Sequence, residues 1–458
     1  MNNMKEEVRK HIHNKVRHPF FLPHLLVNVR NKSHESHSNY IEVIEGLAVA
    51  IRGNLEALNL IKKTDTNNQK NFWQKFKGEK LFGFIDGGST DINIPSAAPM
   101  GIRVACYLVS PGRRGKDRED FDYVIQMVDE LYDSVYFDDF SPNISQMKDS
   151  SRIMCETAGC VNVLENVKEI DSIFLHGPLV NPVSPYGASQ SSIPPYSKEA
   201  ITKFMPHLDP ENLSPHNLAK EEERRHFIPI YLEALNFIKG HEKSVYGIVE
   251  RSMGGSPGIL TRAIYDLLER EGIIDGQTHR KHIGRYNDTG LFENYKITDE
   301  TLFDMILSPG EYVDPFFIDK QGKTSGKVPD FWKRVVEKYP DALVTYLQVG
   351  ENSRPFRIET LKQYDDFNEK IEMIYYSSKL LRGYAFPVGL DIVDKFAKVP
   401  NWMNAAVKKE HAIFALKKAI KSGNPKAVSL MKKMLSTKGR DWFLRPNSGR
   451  KILRSYGR

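Results

Sequence analysis

LFGFIDGGST, residues 81–90, and MGIRVACYLVS, residues 100–110, carry the reading of the fold. The first is a short apolar run that ends on one acid, two glycines and two hydroxyls; the second alternates with a period of two. Two strands around a glycine-rich turn predict an antiparallel hairpin. Outward from it, SSRIMCETAGCVNVLENV (150–167) reads as a helix and SIFLHGPLV (172–180) as a strand. HFIPIYLEALNFIKG (226–240) reads as a helix, SVYGIVERS (244–252) as a core strand, and GILTRAIYDLLEREG (258–272) as a helix ending at Gly272. ALVTYLQVG (342–350) and RPFRIETL (354–361) predict a pair of strands, and helices dominate from Asn368 onward. Upstream, residues 39–64 fit an amphipathic helix, and FDYVIQMVDELYDSVYF (121–137) reads as mixed helix and strand. A hairpin followed by alternating helices and strands places the chain in the α/β class.

The chain of 458 residues can build a large core, and 40% hydrophobic with 27% charged residues excludes wholesale disorder. No window holds the apolar run that a membrane span needs. The charged, histidine-rich beginning, MNNMKEEVRKHIHNKVRH, lacks the pattern of a secretory signal, so the cytoplasm is the expected location. Cys106, Cys155 and Cys160 form neither a disulfide framework nor a zinc template and are expected to be reduced packing residues. RSMGGSPG (251–258) lacks the Lys-Ser/Thr ending of a phosphate-binding loop, and HIH (11–13) matches no zinc spacing.

Three segments follow from composition: a polar extension over 1–37, a folded domain over 38–400 with a Pro/Ser-rich insertion at about 181–218, and a basic helical segment over 401–458. Charge is uneven: of the net +7, the part from Val407 onward carries +13 and the rest of the chain −6. A basic segment interleaved with Phe414, Trp442 and Phe443 suits phosphate neutralisation with base stacking, although its apolar positions also fit packing against the body. Lys417, Lys418, Lys432, Lys433 and Arg440 are the candidate contacts with nucleic acid.

A strand-end acid followed by glycines admits a polar ligand or a metal close to the backbone, because glycine adds no bulk. Asp86 is thus a candidate ligand for a divalent cation, while Asp-Gly is equally a favoured turn dipeptide. FIDGGST, GIRVACYLVS, RIMCE, SIFLHGPL, GIVERS, TYLQVG, RPFRIE and GYAFPVGLDIVD, in this order, resemble the successive motifs of the NurA nuclease family. The resemblance spans about residues 40–400, with the insertion after Asn181 unmatched.

That resemblance implies an RNase H-like mixed sheet with flanking helices that cuts DNA with Mn²⁺ or Mg²⁺, as a homodimer working with a HerA-type hexameric ATPase. Asp86 matches the family's metal-binding aspartate and Glu156 its glutamate. His176 stands where the family has an aspartate; imidazole suits Mn²⁺ better than Mg²⁺ and brings no negative charge. Asp138, Asp139 and Asp171 are candidates to substitute for it. Tyr384 fits the family's tyrosine, but the histidine expected after it is missing; Asp391 and Asp394 occupy that region, where a carboxylate could bind metal but cannot mimic an imidazolium facing a phosphate. Arg357 and Glu359 fit a strand pattern in which the arginine contacts DNA and the glutamate is its structural partner. Asp86, Glu156 and Tyr384 are therefore the catalytic candidates, and Asp86, Glu156 and His176 the metal candidates. The replacement at 176 motivates an alternative, a catalytically silent scaffold that binds DNA or the ATPase.

Overall fold

A computed structural model describes residues 6–7, 9–10, 21–66, 72–73, 80–91, 99–130, 144–181, 228–251, 255–285, 288–318, 337–381 and 383–436. A ten-stranded sheet organises them. Its strands are β1 (Ile61–Lys63), β2 (Leu81–Asp91), β3 (Pro99–Val109), β4 (Glu119–Glu130), β5 (Ile170–His176), β6 (Ser244–Val249), β7 (Glu311–Val313), β8 (Phe316–Ile318), β9 (Ala342–Leu347) and β10 (Phe356–Thr360). The order across the sheet is β1-β7-β9-β10-β6-β5-β2-β3-β4, with β8 paired to β9. β2 pairs antiparallel with β3 and parallel with β5, and β5 pairs parallel with β6. β3 alone therefore runs against the other members of the unit β4-β3-β2-β5-β6, whose order of third, second, first, fourth and fifth strand is that of an RNase H-like core.

Helices cover both faces. On one side lie α1 (Phe21–Ala57), α2 (Ile144–Asn166), α3 (Ile228–Gly240), α4 (Ile259–Arg270), α5 (Gly276–Ile283) and α6 (Asp299–Ile306), with Ile51, Leu55, Ala158, Leu235, Ile264 and Leu302 in one buried cluster. On the other side, α7 (Phe367–Ser378) and α8 (Val388–Ala397) bury Ile371, Tyr375, Leu390 and Val393. α9 (Asn401–Lys421) and α10 (Pro425–Ser436) follow. Strand alternation assigns side chains to the two layers: Phe82 and Phe84 of β2 join the α7/α8 cluster, and Ile85 joins the other.

The α7/α8 face carries one aromatic row across five strands. Phe121, Tyr107, Phe84, Phe174 and Tyr246 are successive register partners on β4, β3, β2, β5 and β6. Their neighbouring ring centroids are 4.6, 6.0, 5.2 and 5.9 Å apart. These separations are those of favourable aromatic pairs. The row pins the register of the central strands, and everything two residues further along the strands is placed by it.

Several expectations are corrected. The first helix begins at Phe21 and ends at Ala57, not 64; Asn59 turns left-handed at φ 54, and Ile61–Lys63 becomes β1 against β7. Residues 119–130 are strand throughout, and the rest of the stretch read as mixed lies outside the described residues, as does most of the insertion. Arg357 does not face DNA. β10 lies between β9 and β6, so its side chains meet helices on both faces, and Arg357 is turned inward onto fully buried Glu359, with its Nε 3.1 Å from Oε1. The three cysteines are free and buried. Among the described residues no helix is long and apolar enough to cross a membrane.

Asp299, the first residue of α6, supplies a cap to a different helix. Its buried carboxylate accepts from the backbone N–H groups of Leu260 (2.9 Å) and Thr261 (3.0 Å) and from the Thr261 hydroxyl, all in the first turn of α4. Gly258 leaves room for it, since a Cβ there would lie 2.1 Å from the carboxyl carbon. Asp299→Ala leaves buried donors without an acceptor and should cost about 2 kcal/mol in urea unfolding. A change within a few tenths of a kcal/mol would remove this cap from the account.

Candidate metal centre

The residue after the next in each strand from the aromatic row is polar at the two central parallel strands. Phe84 leads to Asp86 on β2, and Phe174 leads to His176 on β5; because Ile85 is in register with Leu175, the acid and the imidazole arrive side by side. Asp86 Oδ2 lies 3.1 Å from His176 Nδ1. The other carboxylate oxygen, Oδ1, accepts from the backbone N–H of Gly87 at 2.7 Å, which fixes the rotamer.

Gly87 and Gly88 are explained by what comes down on them. A Cβ on Gly87 would lie 2.6 Å from both Cγ and Oε1 of Glu156, so this glycine admits the glutamate of α2 from one face of the sheet. On Gly88 a Cβ would lie 2.1 Å from the carbonyl oxygen of Ala397 and 3.0 Å from Cα of Lys398, so that glycine seats the end of α8 on the other face. α8 buries Leu390, Val393 and Ala397 and leaves Asp391 and Asp394 on its polar side. Seated there, it brings Asp394 to the strand ends. One donor atom each of Asp86, His176 and Asp394 lie within 4.8 Å of one another, the group of metal-ligating side chains found among the described residues.

These residues line an open cleft of about 540 Å³, together with Glu156, Arg152, Glu250, Tyr384, Asp391 and Lys398. Tyr384 sits on its rim in a loop where Gly383 (φ 80) and Ala385 (φ 53) are both left-handed. Its hydroxyl donates to Asp391 Oδ1 at 3.0 Å, and burial with the Asp391 charge pushes its pKa up to about 12. The phenol is therefore a hydrogen-bond donor near neutral pH, not a base.

Burial dominates the chemistry of Glu156. It pushes the carboxyl up to about 8, with the Asp86 charge adding to it, although Arg152 donates to Oε1 at 2.5 Å and opposes the shift. For His176, burial disfavours the imidazolium, but the hydrogen bond and charge of Asp86 outweigh it and raise the pKa. Both groups therefore keep their protons to higher pH than the free side chains do.

Asp86, Glu156 and His176 come together, as does Tyr384 at the rim. Asp171 lies at the opposite end of β5, bonded to buried Lys370 and to the Ser172 hydroxyl (2.8 Å), so it cannot stand in for the aspartate replaced at 176. Asp138 and Asp139 lie outside the described residues, as do Arg440, Trp442, Phe443 and the side chain of Lys433. Lys417, Lys418 and Lys432 are exposed on α9 and α10, where Phe414 is 64% exposed rather than packed. Asp394 is read from the sequence only as one of two carboxylates able to bind metal in the region of the missing histidine, and neither Lys398 nor Arg152 has a role there. The signal for them was the helical spacing of four between each acid and its base.

Residues 80–399 match the model of the NurA domain family. No curated protein matches the sequence. Among solved structures, the NurA nuclease from Sulfolobus solfataricus aligns with 88% of this chain and 98% of its own, at 10% identity and a TM-score of 0.48. NurA bound to dAMP and manganese aligns with 80% of this chain and 94% of its own, at 10% identity and a TM-score of 0.37.

Proposed function

The chain belongs to the NurA family, and from that membership we propose that it is a divalent-metal-dependent deoxyribonuclease centred on Asp86, His176 and Asp394. The observation that carries the reading is the convergence of these three donors, from segments far apart in the sequence, at one end of the central strands inside an open cleft. The residues fit a cation such as Mn²⁺ or Mg²⁺. Two ligands at right angles around an ion with bonds of about 2.1 Å stand about 3 Å apart, and Asp86 and His176 are separated by 3.1 Å. Relative to the family pattern, acid and imidazole have exchanged places: His176 occupies the aspartate position, and Asp394 lies where the histidine is missing. The nitrogen donor weights the set towards Mn²⁺.

A bound divalent cation supplies Lewis-acid polarisation of the phosphoryl oxygen and a water of lowered pKa. The chain's own groups do the rest. Asp86 and Asp394 provide the charge, Glu156 accepts or holds a proton across Gly87, and Tyr384, by turning its hydroxyl away from Asp391, can donate to a phosphate oxygen. The exposed lysines of α9 and α10 would draw in the DNA backbone through phosphate contacts that read no sequence. Pairing with a HerA-type ATPase and assembly as a homodimer are part of this reading.

Incubating the purified chain with end-labelled linear DNA and Mn²⁺ tests it: cleavage that chelator abolishes is the expected result. Binding of DNA without cleavage under Mn²⁺ or Mg²⁺, with or without the ATPase, would move the assignment to a silent scaffold.

The proton inventory gives a pH dependence with a defined sign. Glu156 and His176 both have folded pKa values above their ordinary ones, so their contribution to stability is present at low pH and is lost as pH rises, through about 8 for Glu156. A cation needs the ring nitrogen of His176 free of its proton and is favoured by the negative charge of Glu156 beside the donor group, so binding strengthens over the same window. The rise in melting temperature caused by Mn²⁺ should therefore grow from about pH 6 to about pH 8.5. A rise that is constant or shrinks across that range would contradict the inventory.

A further inference from the structure

α8 carries two acid–base pairs one turn apart, and they are not equivalent. Asp391 is held by the Tyr384 hydroxyl at 3.0 Å and by Lys395 Nζ at 2.5 Å, and it stands outside the three-donor group. Asp394 is inside that group, and the ammonium of Lys398 is bonded to its Oδ2. A cation that the chain itself supplies thus stands on the carboxylate that contributes the third donor of the site.

Two features make this cation displaceable but not removable. The side chain of Lys398 is 66% exposed, and an exposed pair of this kind contributes little against a competing divalent ion. Its backbone, however, is fixed: Cα of Lys398 lies against Gly88, two residues beyond Asp86 on the same face of β2, and its N–H caps α8 by donating to the Asp394 carbonyl at 3.2 Å. Once parted from Asp394, the ammonium can swing only within a side chain's length of the strand end. Arg103, the register partner of Gly88 on β3, lies on that side with its guanidinium 3.9 Å from the Tyr123 ring centroid. Lys398 lines the same cleft as the donor group, so a phosphate brought there would lie within reach of the released ammonium.

We propose that Lys398 holds the Asp394 ligand position before a metal arrives and, once displaced by the cation, becomes a phosphate-binding residue of the substrate site. The inference rests on the metal-centre reading and adds to it a residue that links cation loading to DNA engagement. It also predicts opposite effects of one substitution on the two ligands, which a purely structural role for the lysine would not produce.

The test compares the wild-type chain with Lys398→Met and Lys398→Arg. Mn²⁺ affinity is read by titration calorimetry without DNA, and KM by cleavage of a labelled oligonucleotide. Lys398→Met should bind Mn²⁺ about two- to fivefold more tightly, because the competitor is gone. Its KM for DNA should rise about tenfold through loss of a charge-assisted contact, and Lys398→Arg should recover most of the lost KM. Mn²⁺ binding that is unchanged or weaker in Lys398→Met, or an unchanged KM, would overturn the proposal while leaving the metal centre in place. Failure of the wild-type chain to bind Mn²⁺ would overturn both.

Discussion

Asp86→Asn should lower metal-dependent DNA cleavage by about 10³-fold with the fold intact. Substituting groups that merely support metal ligands costs about 10- to 100-fold, and Asp86 is read as a ligand itself, so its loss should exceed that range. Stability should change little. The buried carboxylate shares its cleft with Glu156 and Asp394, and its charge helps to raise the Glu156 pKa. Removing that charge relieves repulsion but forfeits its attraction to His176, while an amide oxygen can still accept from the Gly87 N–H. The check is a cleavage time course beside far-UV circular dichroism and DNA binding. Undiminished cleavage by a folded variant would take Asp86 out of the mechanism.

Gly88→Ala should lower cleavage by about 100-fold without touching a candidate ligand. The new methyl would lie 2.1 Å from the Ala397 carbonyl oxygen and 2.7 Å from its carbon, and both are backbone atoms with no rotamer to change. The end of α8 must therefore lift, and Asp394, one turn earlier, moves with it. A misplacement of about 1 Å can cost about 100-fold in rate, and overpacking a tight contact costs about 1–3 kcal/mol. Gly46→Ala is the matched control. It lies in the exposed face of α1 with nothing within 4 Å of a built Cβ, and there alanine should stabilise the helix by up to about 1 kcal/mol. Equal behaviour of the two variants, in activity and in thermal melting, would refute the proposed seating of α8.

Local pattern was enough for the strands that build the centre. LFGFIDGG and MGIRVACYLVS form the expected antiparallel hairpin, and the paired strands at 342–347 and 356–360 also form. The neighbourhood of Asp86 and His176 was present in the text as a repeated phrase. Phe-Ile-Asp-Gly at 84–87 and Phe-Leu-His-Gly at 174–177 are the same strand end written twice, and parallel register lays one beside the other. Asp394 was not legible in this way. Its arrival depends on Gly88 and Gly389 letting a helix from 300 residues downstream lie flat on Phe84 and the β2 backbone, a tertiary contact with no local signature.

Arg357 failed for a related reason. The family pattern puts the arginine on DNA, but an interior strand of a sheet covered on both sides has no solvent-facing position; the pairing with Glu359 that the same pattern implies does form. The first helix was misplaced because its apolar period continues into Leu60 and Ile61, where the chain has already turned at Asn59 and joined the sheet. Periodicity reports which residues are buried; it does not report which element buries them.

In the proposed centre, one divalent cation is held jointly by β2, β5 and α8. Crystals of the chain soaked in Mn²⁺ and measured at the manganese absorption edge test this. An anomalous peak bounded by the side chains of Asp86, His176 and Asp394 is the expected result. A peak elsewhere in the molecule, or none at this position at a Mn²⁺ concentration that supports cleavage, would contradict it.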